Sequence, residues 1–189
     1  MRFEQDKHHR WLLEARQIRR YRLEPSLDPR RRWWEAIALP PPSIQILDVG
    51  GGATVAPLIC EDLARQDDVA EVIRRIGPML VVALLLDGPQ ISARWSSRYA
   101  SVLADDPGCT VISLTSLGMA TRSRPEGERP SRSIALWKDA ERGLAEIEAS
   151  PGADAVLLIA SEDRERPGRL MAGGTTVPYP GWSWRRSAN

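Results

Sequence analysis

From Ala53 to Leu114 the chain alternates apolar runs with amphipathic ones, and this alternation restricts the fold more than any other feature of the sequence. ATVAPLIC reads as a buried strand, Asp67 to Ile76 as a helix and Met79 to Leu86 as a second strand. Ser92 to Ala104 then reads as a helix and Cys109 to Leu114 as a third strand. Strand, helix, strand, helix, strand implies α/β layers.

A chain of 189 residues is the size of one ordinary domain and can bury a real core. Its 26 basic and 25 acidic residues nearly cancel, so net charge gives no reason to expect nucleic acid, an anionic membrane or a strongly charged substrate. The two cysteines, Cys60 and Cys109, sit against apolar runs, an arrangement of reduced thiols rather than of a disulfide framework. The longest apolar stretch, MLVVALLL, stops at Asp87, Gly88 and Pro89, short of the roughly 18 to 20 residues a membrane span needs. MRFEQDKHHR lacks the apolar centre of a secretion signal, so the expectation is a soluble, cytoplasmic protein.

Outside the alternating region, Trp11, Leu12, Ala15 and Ile18 have near-helical spacing and predict a short helix. Arg30, Arg31 and Arg32 stand beside Trp33 and Trp34, but interleaved Glu14, Glu24 and Asp28 favour a solvated, salt-bridged face over a nucleic-acid surface. Pro40 to Pro42 stop any helix, Ser43 to Val49 reads as a strand, and Gly50 to Gly52 as the turn of a hairpin. The glycines are not a phosphate cradle, because no Lys and Ser/Thr follow and no helix begins there. Thr121 to Ser131 reads as a mobile loop fit for an active-site rim or an interface arm. Ser133 to Lys138, Gly143 to Glu148 and Ala153 to Ala160 read as strands. The domain is taken as residues 1–161, with 162–189 a tail in which Trp182 and Trp184 dock on the domain or on a partner chain.

The sharpest chemical signal is VAPLICEDLAR, in which a strand runs directly into Cys60, Glu61 and Asp62 and then into a turn. A cysteine at the carboxyl end of a strand is exposed at the sheet edge, where nearby N–H groups lower its pKa and receive an oxyanion. The plainer alternative is a small buried hydrophobe, a common fate of free cysteine.

These residues, Leu58, Ile59, Cys60, Glu61 and Asp62, resemble the nitrilase superfamily of carbon–nitrogen hydrolases, whose nucleophile follows an apolar strand and precedes an aromatic or acidic residue and Asp. The likeness continues through Val69 to Ile76, Met79 to Asp87, Trp95 to Ala104 and Cys109 to Gly118. Upstream, QDKHHRW resembles the segment of the family's catalytic lysine and gives that role to Lys7. A cation near the sulfur lowers the thiol pKa and stabilises a developing oxyanion. The alternative for Lys7 is an exposed surface charge. The family's auxiliary glutamate, between lysine and cysteine, corresponds to Glu35 in RRWWEAIALP; otherwise Glu35 is a surface carboxylate pairing with the arginine block. Asp62 and Glu61 are expected to act structurally, Asp62 by accepting backbone N–H bonds after the elbow, or else to face solvent. His8 and His9 are the only histidines and, being adjacent, do not converge on one point, so neither a metal site nor a cofactor is expected. A Cys-His pair would have to use one of them and is less economical than Lys7.

The resemblance implies a four-layer αββα sandwich lacking its first strands, because Met1 stands six residues before Lys7. It implies hydrolysis of a small-molecule amide or nitrile through a thioester-type intermediate, and a homodimer or association with another chain. The family's general-base glutamate, which precedes the lysine, has no matched position here, and Glu4 and Asp6 lie too close to Lys7 to replace it. Losing a general base costs about two to four orders of magnitude in rate. The expectations are therefore an impaired hydrolase, a catalytically inactive binding or regulatory module on the same fold, or a fragment with no independent role.

Overall fold

In a computed structural model the chain is described at residues 3–50, 52–123, 129–140, 142–163, 169–170, 176–177 and 181–186, with side chains described as far as residue 159. The N-terminal elements are β1 (Leu12–Leu13), α1 (Ala15–Arg20), β2 (Trp33–Trp34) and β3 (Leu47–Asp48). The alternating region supplies β4 (Thr54–Ile59), a 3-10 turn (Cys60–Ala64), α2 (Val69–Ile76), β5 (Leu80–Leu84), α3 (Trp95–Asp105), β6 (Thr110–Leu114) and α4 (Leu117–Arg122). Then follow β7 (Ser133–Asp139), β8 (Gly143–Glu148), β9 (Leu158–Asp163), β10 (Arg169–Leu170), β11 (Thr176–Val177) and β12 (Gly181–Arg186).

The architecture is mixed α/β around a six-stranded sheet of order β3-β4-β5-β6-β7-β8. β4, β5 and β6 run parallel, while β3, β7 and β8 pair antiparallel at the two sides. Parallel neighbours require crossovers, and right-handed crossovers taken in the same direction leave both connecting helices on one face. The packing follows that rule: Val69, Ala70 and Ile73 of α2 and Ala100 and Leu103 of α3 form one core with Ala56, Leu58, Val81, Ala83, Val111 and Leu136 of the sheet. α2 ends because Gly77 adopts the left-handed conformation (φ 61°) and donates its N–H to Ile73 O at 2.8 Å.

The opposite face is also apolar. Ile112, Ala135, Trp137 and Ile147 form a second cluster there, with Leu80, Val82 and Leu114 half-buried and Val156 and Leu158 lying against it. Leu84, on the same face as Val82, stays 46% exposed.

Several expected elements differ, for identifiable reasons. The helix predicted from Trp11 begins only at Ala15, because Leu12 and Leu13 pair with Trp34 and Trp33 in a two-stranded ribbon. Gln17 Oε1 accepts the Glu14 N–H at 3.2 Å and marks the helix start. Of the strand predicted over 43–49 only Leu47–Asp48 pairs, with Val55 and Thr54 in the expected hairpin. The Ser43 and Gln45 N–H groups are instead taken by His8 Nε2 (3.2 Å) and Gln5 Oε1 (2.8 Å). α4 occupies the start of the predicted loop 121–131, of which 124–128 lie outside the described residues. The strand predicted over 153–160 begins only at Leu158, runs across residue 161 and pairs with β12. The side chains of Trp182 and Trp184 lie outside those described.

Leu58, 2% exposed at the centre of the helix-covered face, reports on this packing. Leu58→Ala is expected to lower stability by about 3 kcal/mol through lost transfer energy and a residual cavity. Urea unfolding measures it; a loss under about 1 kcal/mol would contradict a tightly packed central strand.

Candidate active site

The site grows from the carboxyl end of β4. Ile59 is the last extended residue, and Cys60 then turns with φ 53°, a conformation rare for a residue with a Cβ. Such strain persists only where the surroundings fix it, and it turns the chain sharply out of the strand into the 3-10 turn. The Leu86 N–H, just beyond β5, donates to the Cys60 sulfur.

Asp62, 1% exposed, holds the other side of the elbow. Its carboxylate accepts the N–H groups of His8 (3.1 Å) and His9 (3.0 Å) and lies 2.9 Å from His9 Nδ1. The expectation that Asp62 accepts backbone N–H bonds is met by a different partner: the segment bearing Lys7, rather than the turn itself, supplies them. His9 Nε2 also lies 4.0 Å from Asp68, and His8 is occupied with Ser43, so each ring has a structural bond. Glu4 and Asp6 are exposed.

Lys7 is not a surface charge, its side chain being 10% exposed. Its ammonium pairs with Glu35, whose carboxylate also accepts the Trp11 N–H at 3.1 Å. Glu35 therefore serves Lys7 and the start of the β1–β2 ribbon instead of the arginine block, which pairs elsewhere: Arg30 with Asp28 and Arg32 with Glu14. Asp62 thus ties the segment after Lys7 to the Cys60 elbow, Lys7 pairs with Glu35, and neither Lys7 nor Glu35 is among the residues lining the cavity described below, while Cys109 is buried at the head of β6.

The electrostatics differ from the expected lowering of the thiol pKa. Burial pushes the Cys60 thiol above its ordinary value, and the Lys7 charge and the Leu86 N–H offset only part of that. Glu61 is also raised, chiefly by burial, against the opposing charges of Arg65, Lys7 and His9.

A second polar cluster, which the sequence reading did not single out, secures the loop after β5. Asp87 accepts from Arg94 Nη2 (2.5 Å), Trp95 Nε1 (2.8 Å) and the Tyr21 hydroxyl. Burial alone would raise its pKa; Arg94, the Tyr21 hydroxyl and the Gly88 N–H together hold it below the usual value. Burial first, and then the same Asp87 contact, pushes the Tyr21 phenol upward. Gly88 is needed there, since a Cβ would fall 2.1 Å from Ser123 Oγ and 2.9 Å from Arg94 Nη1. Buried Gln90 completes the loop, accepting from the Ser96 (2.9 Å) and Ser113 (2.8 Å) hydroxyls. An acidic residue ending an apolar run, followed seven residues later by Arg-Trp at a helix start, was the available sequence signal.

Cys60, Glu61 and Asp87 open on a cavity of about 800 Å³ walled by α1, the elbow and the start of α3. No group of three or more His, Cys, Asp and Glu suited to a metal exists among the described residues, and no helix there is long and apolar enough to cross a membrane. Comparison with known proteins finds no family model that matches the chain and no curated protein that matches it.

If Asp62 pins the lysine segment, Asp62→Ala leaves the His8 and His9 N–H groups without their acceptor and costs about 2 to 4 kcal/mol. Amide hydrogen exchange should show those two N–H groups opening faster in the variant. Unchanged protection at both would refute the anchoring role.

Proposed function

We propose that the chain is a nitrilase-like carbon–nitrogen hydrolase domain with Cys60 as nucleophile, Lys7 as the cation that holds the oxyanion and Glu35 as the carboxylate that orients Lys7. The observation that carries this reading is the left-handed backbone of Cys60 at the end of a parallel strand, opening on a cavity, with a buried lysine beside it. Strained nucleophiles at strand ends are a recurring device of acyl-transfer sites, because the turn exposes the reacting atom and collects N–H donors around it.

In this mechanism the Cys60 sulfur attacks the carbon of an amide, forming the C–S bond while the carbonyl π electrons move to oxygen beside the Lys7 ammonium. The thiol proton passes, by way of solvent in the cavity, to the amide nitrogen. Collapse breaks the C–N bond, the amine leaves carrying a proton, and a thioester remains. Water then adds to the thioester and the C–S bond breaks, releasing the carboxylic acid and restoring the thiol. One amide and one water become one acid and one amine. A nitrile enters by the same attack, its nitrogen taking the electrons and the thiol proton to give a thioimidate; one water then releases ammonia and leaves the thioester, and a second water releases the acid.

The finer fold that accompanies this reading is a four-layer αββα sandwich. Its support is the second apolar face of the sheet, where Leu80, Val82 and Leu114 are half-buried and Leu84 is exposed. A sheet apolar on both faces calls for a layer on each. Association with another chain belongs to the same proposal, as does a cytoplasmic location.

A second reading, a catalytically inactive binding or regulatory module, is favoured by one observation: burial holds the Cys60 thiol above its ordinary pKa, so the free site carries a protonated sulfur near neutrality.

The deciding measurement is the pH dependence of Cys60 alkylation by iodoacetamide, read by peptide mass spectrometry, together with amine release from a panel of simple amides. The wild-type midpoint is expected above the ordinary thiol value. Lys7→Ala should move it further up, because the lost positive charge had favoured the thiolate. Turnover that disappears in Cys60→Ala supports the hydrolase; a labelled cysteine indifferent to Lys7, with no amide cleaved, supports the inactive module.

A further inference from the structure

The walls of the cavity beside Cys60 are far from the neutral balance of the whole chain. Six arginines, Arg10, Arg16, Arg20, Arg65, Arg94 and Arg98, line it, against two carboxylates, Glu61 and Asp87. Both acids are already engaged, Glu61 with Arg65 at 3.6 Å and Asp87 with Arg94 at 2.5 Å. Arg16, Arg20 and Arg98 make no ion pair among the described residues.

Arg94 is buried and Arg20 half-buried in this wall, with Arg16 and Arg98 at its exposed rim. Arg16 and Arg20 lie four residues apart on α1 and share a helix face, while Arg94 is the extended residue that precedes α3 and Arg98 stands within that helix. Like charges at the α1 spacing disfavour that helix, yet both pairs meet at one cavity. Arg94 is 9% exposed, and its Nε and Nη1 have no hydrogen-bond partner. The Nε atoms of Arg20 and Arg65 are buried in the same condition. Burial and the charge of Arg94 together lower the Arg20 pKa, which an anion between them would reverse. Buried donors without acceptors cost free energy, so this wall concentrates positive charge that the described residues leave uncompensated.

We infer that this cavity recognises a substrate bearing a negatively charged group, carboxylate or phosphate, held by Arg16, Arg20, Arg94 and Arg98 while its amide or nitrile carbon faces Cys60. The inference rests on the hydrolase reading only for what happens at the sulfur; anion recognition stands on the cavity alone.

Two alkylating agents differing in charge test it. The rate of Cys60 modification by iodoacetate is divided by that by iodoacetamide at one pH, and the ratio is compared with that of a small uncharged thiol. An arginine-lined cavity should raise the ratio about tenfold or more at low salt. The gain should fall towards one in high salt, because screening removes it, and also in the triple variant Arg16→Gln, Arg20→Gln, Arg98→Gln. Glutarate or inorganic phosphate should protect Cys60, and whichever protects at lower concentration names the anion. A ratio equal to that of the small thiol and unmoved by the variant, with iodoacetamide still labelling Cys60, would overturn the inference and leave the hydrolase reading standing. If neither agent labels Cys60, the hydrolase reading fails. Glutarate and phosphate titrations followed by fluorescence of the cavity residues Trp11 and Trp95 then decide. A saturable change abolished in the triple variant supports anion recognition; no change with either anion overturns it.

Discussion

The site depends on one buried carboxylate. Asp62 stands two residues after Cys60, and its oxygens collect the His8 and His9 N–H groups and the His9 ring. A carboxylate at 1% exposure is costly unless its lone pairs are filled by good donors. Here the donors belong to a segment more than fifty positions away in sequence, so satisfying Asp62 also draws Lys7 to the elbow. Moving that segment would leave a buried charge without partners, and this keeps a long N-terminal stretch of little regular structure in register with the sheet.

A second carboxylate does the same for the other wall. Asp87 ends the β5 run and is held by Arg94, Trp95 and Tyr21, which come from the start of α3 and the end of α1. The loop it anchors carries the Leu86 N–H that reaches the Cys60 sulfur. Two buried acids, Asp62 bonded to a segment more than fifty positions away and Asp87 to Tyr21 as well as to nearby Arg94 and Trp95, thus set Cys60 at the edge of an arginine-lined cavity. The elbow strain at Cys60 is stored against this double anchoring, since a residue with φ 53° relaxes unless its neighbours hold it.

Sequence reading succeeded where local chemistry is decisive. The parallel core from Thr54 to Leu114 was legible because buried strands and amphipathic helices each carry their own period, and the turn at Gly50 to Gly52 because glycine tolerates the φ of 91° that Gly50 adopts. It failed where a distant partner overrides local preference. Leu12 and Leu13 have helical spacing but become a strand when Trp33 and Trp34 meet them. Ile44 and Ile46 have strand character, yet the N–H groups beside them bond to Gln5 and His8 side chains. Lys7 and Glu35 were singled out by resemblance alone, and their pairing was not foreseen, since no periodicity links residues twenty-eight apart.

Net charge says nothing about any one cavity, for a physical reason. A total near zero describes the field far from the protein, whereas a bound molecule meets only the groups within about a Debye length. Asp28, Glu14 and Glu71 pair away from the cavity, and the two acids that line it, Glu61 and Asp87, pair with Arg65 and Arg94. Arg16, Arg20 and Arg98 line it with no ion pair among the described residues. The spacing of four on α1 was visible in the sequence, but its meeting with Arg94 and Arg98 depends on Asp87 and Tyr21 tying the end of α1 to the start of α3. The bond that shapes the wall also concentrates its charge, so the polarity of the cavity follows from the fold rather than from composition.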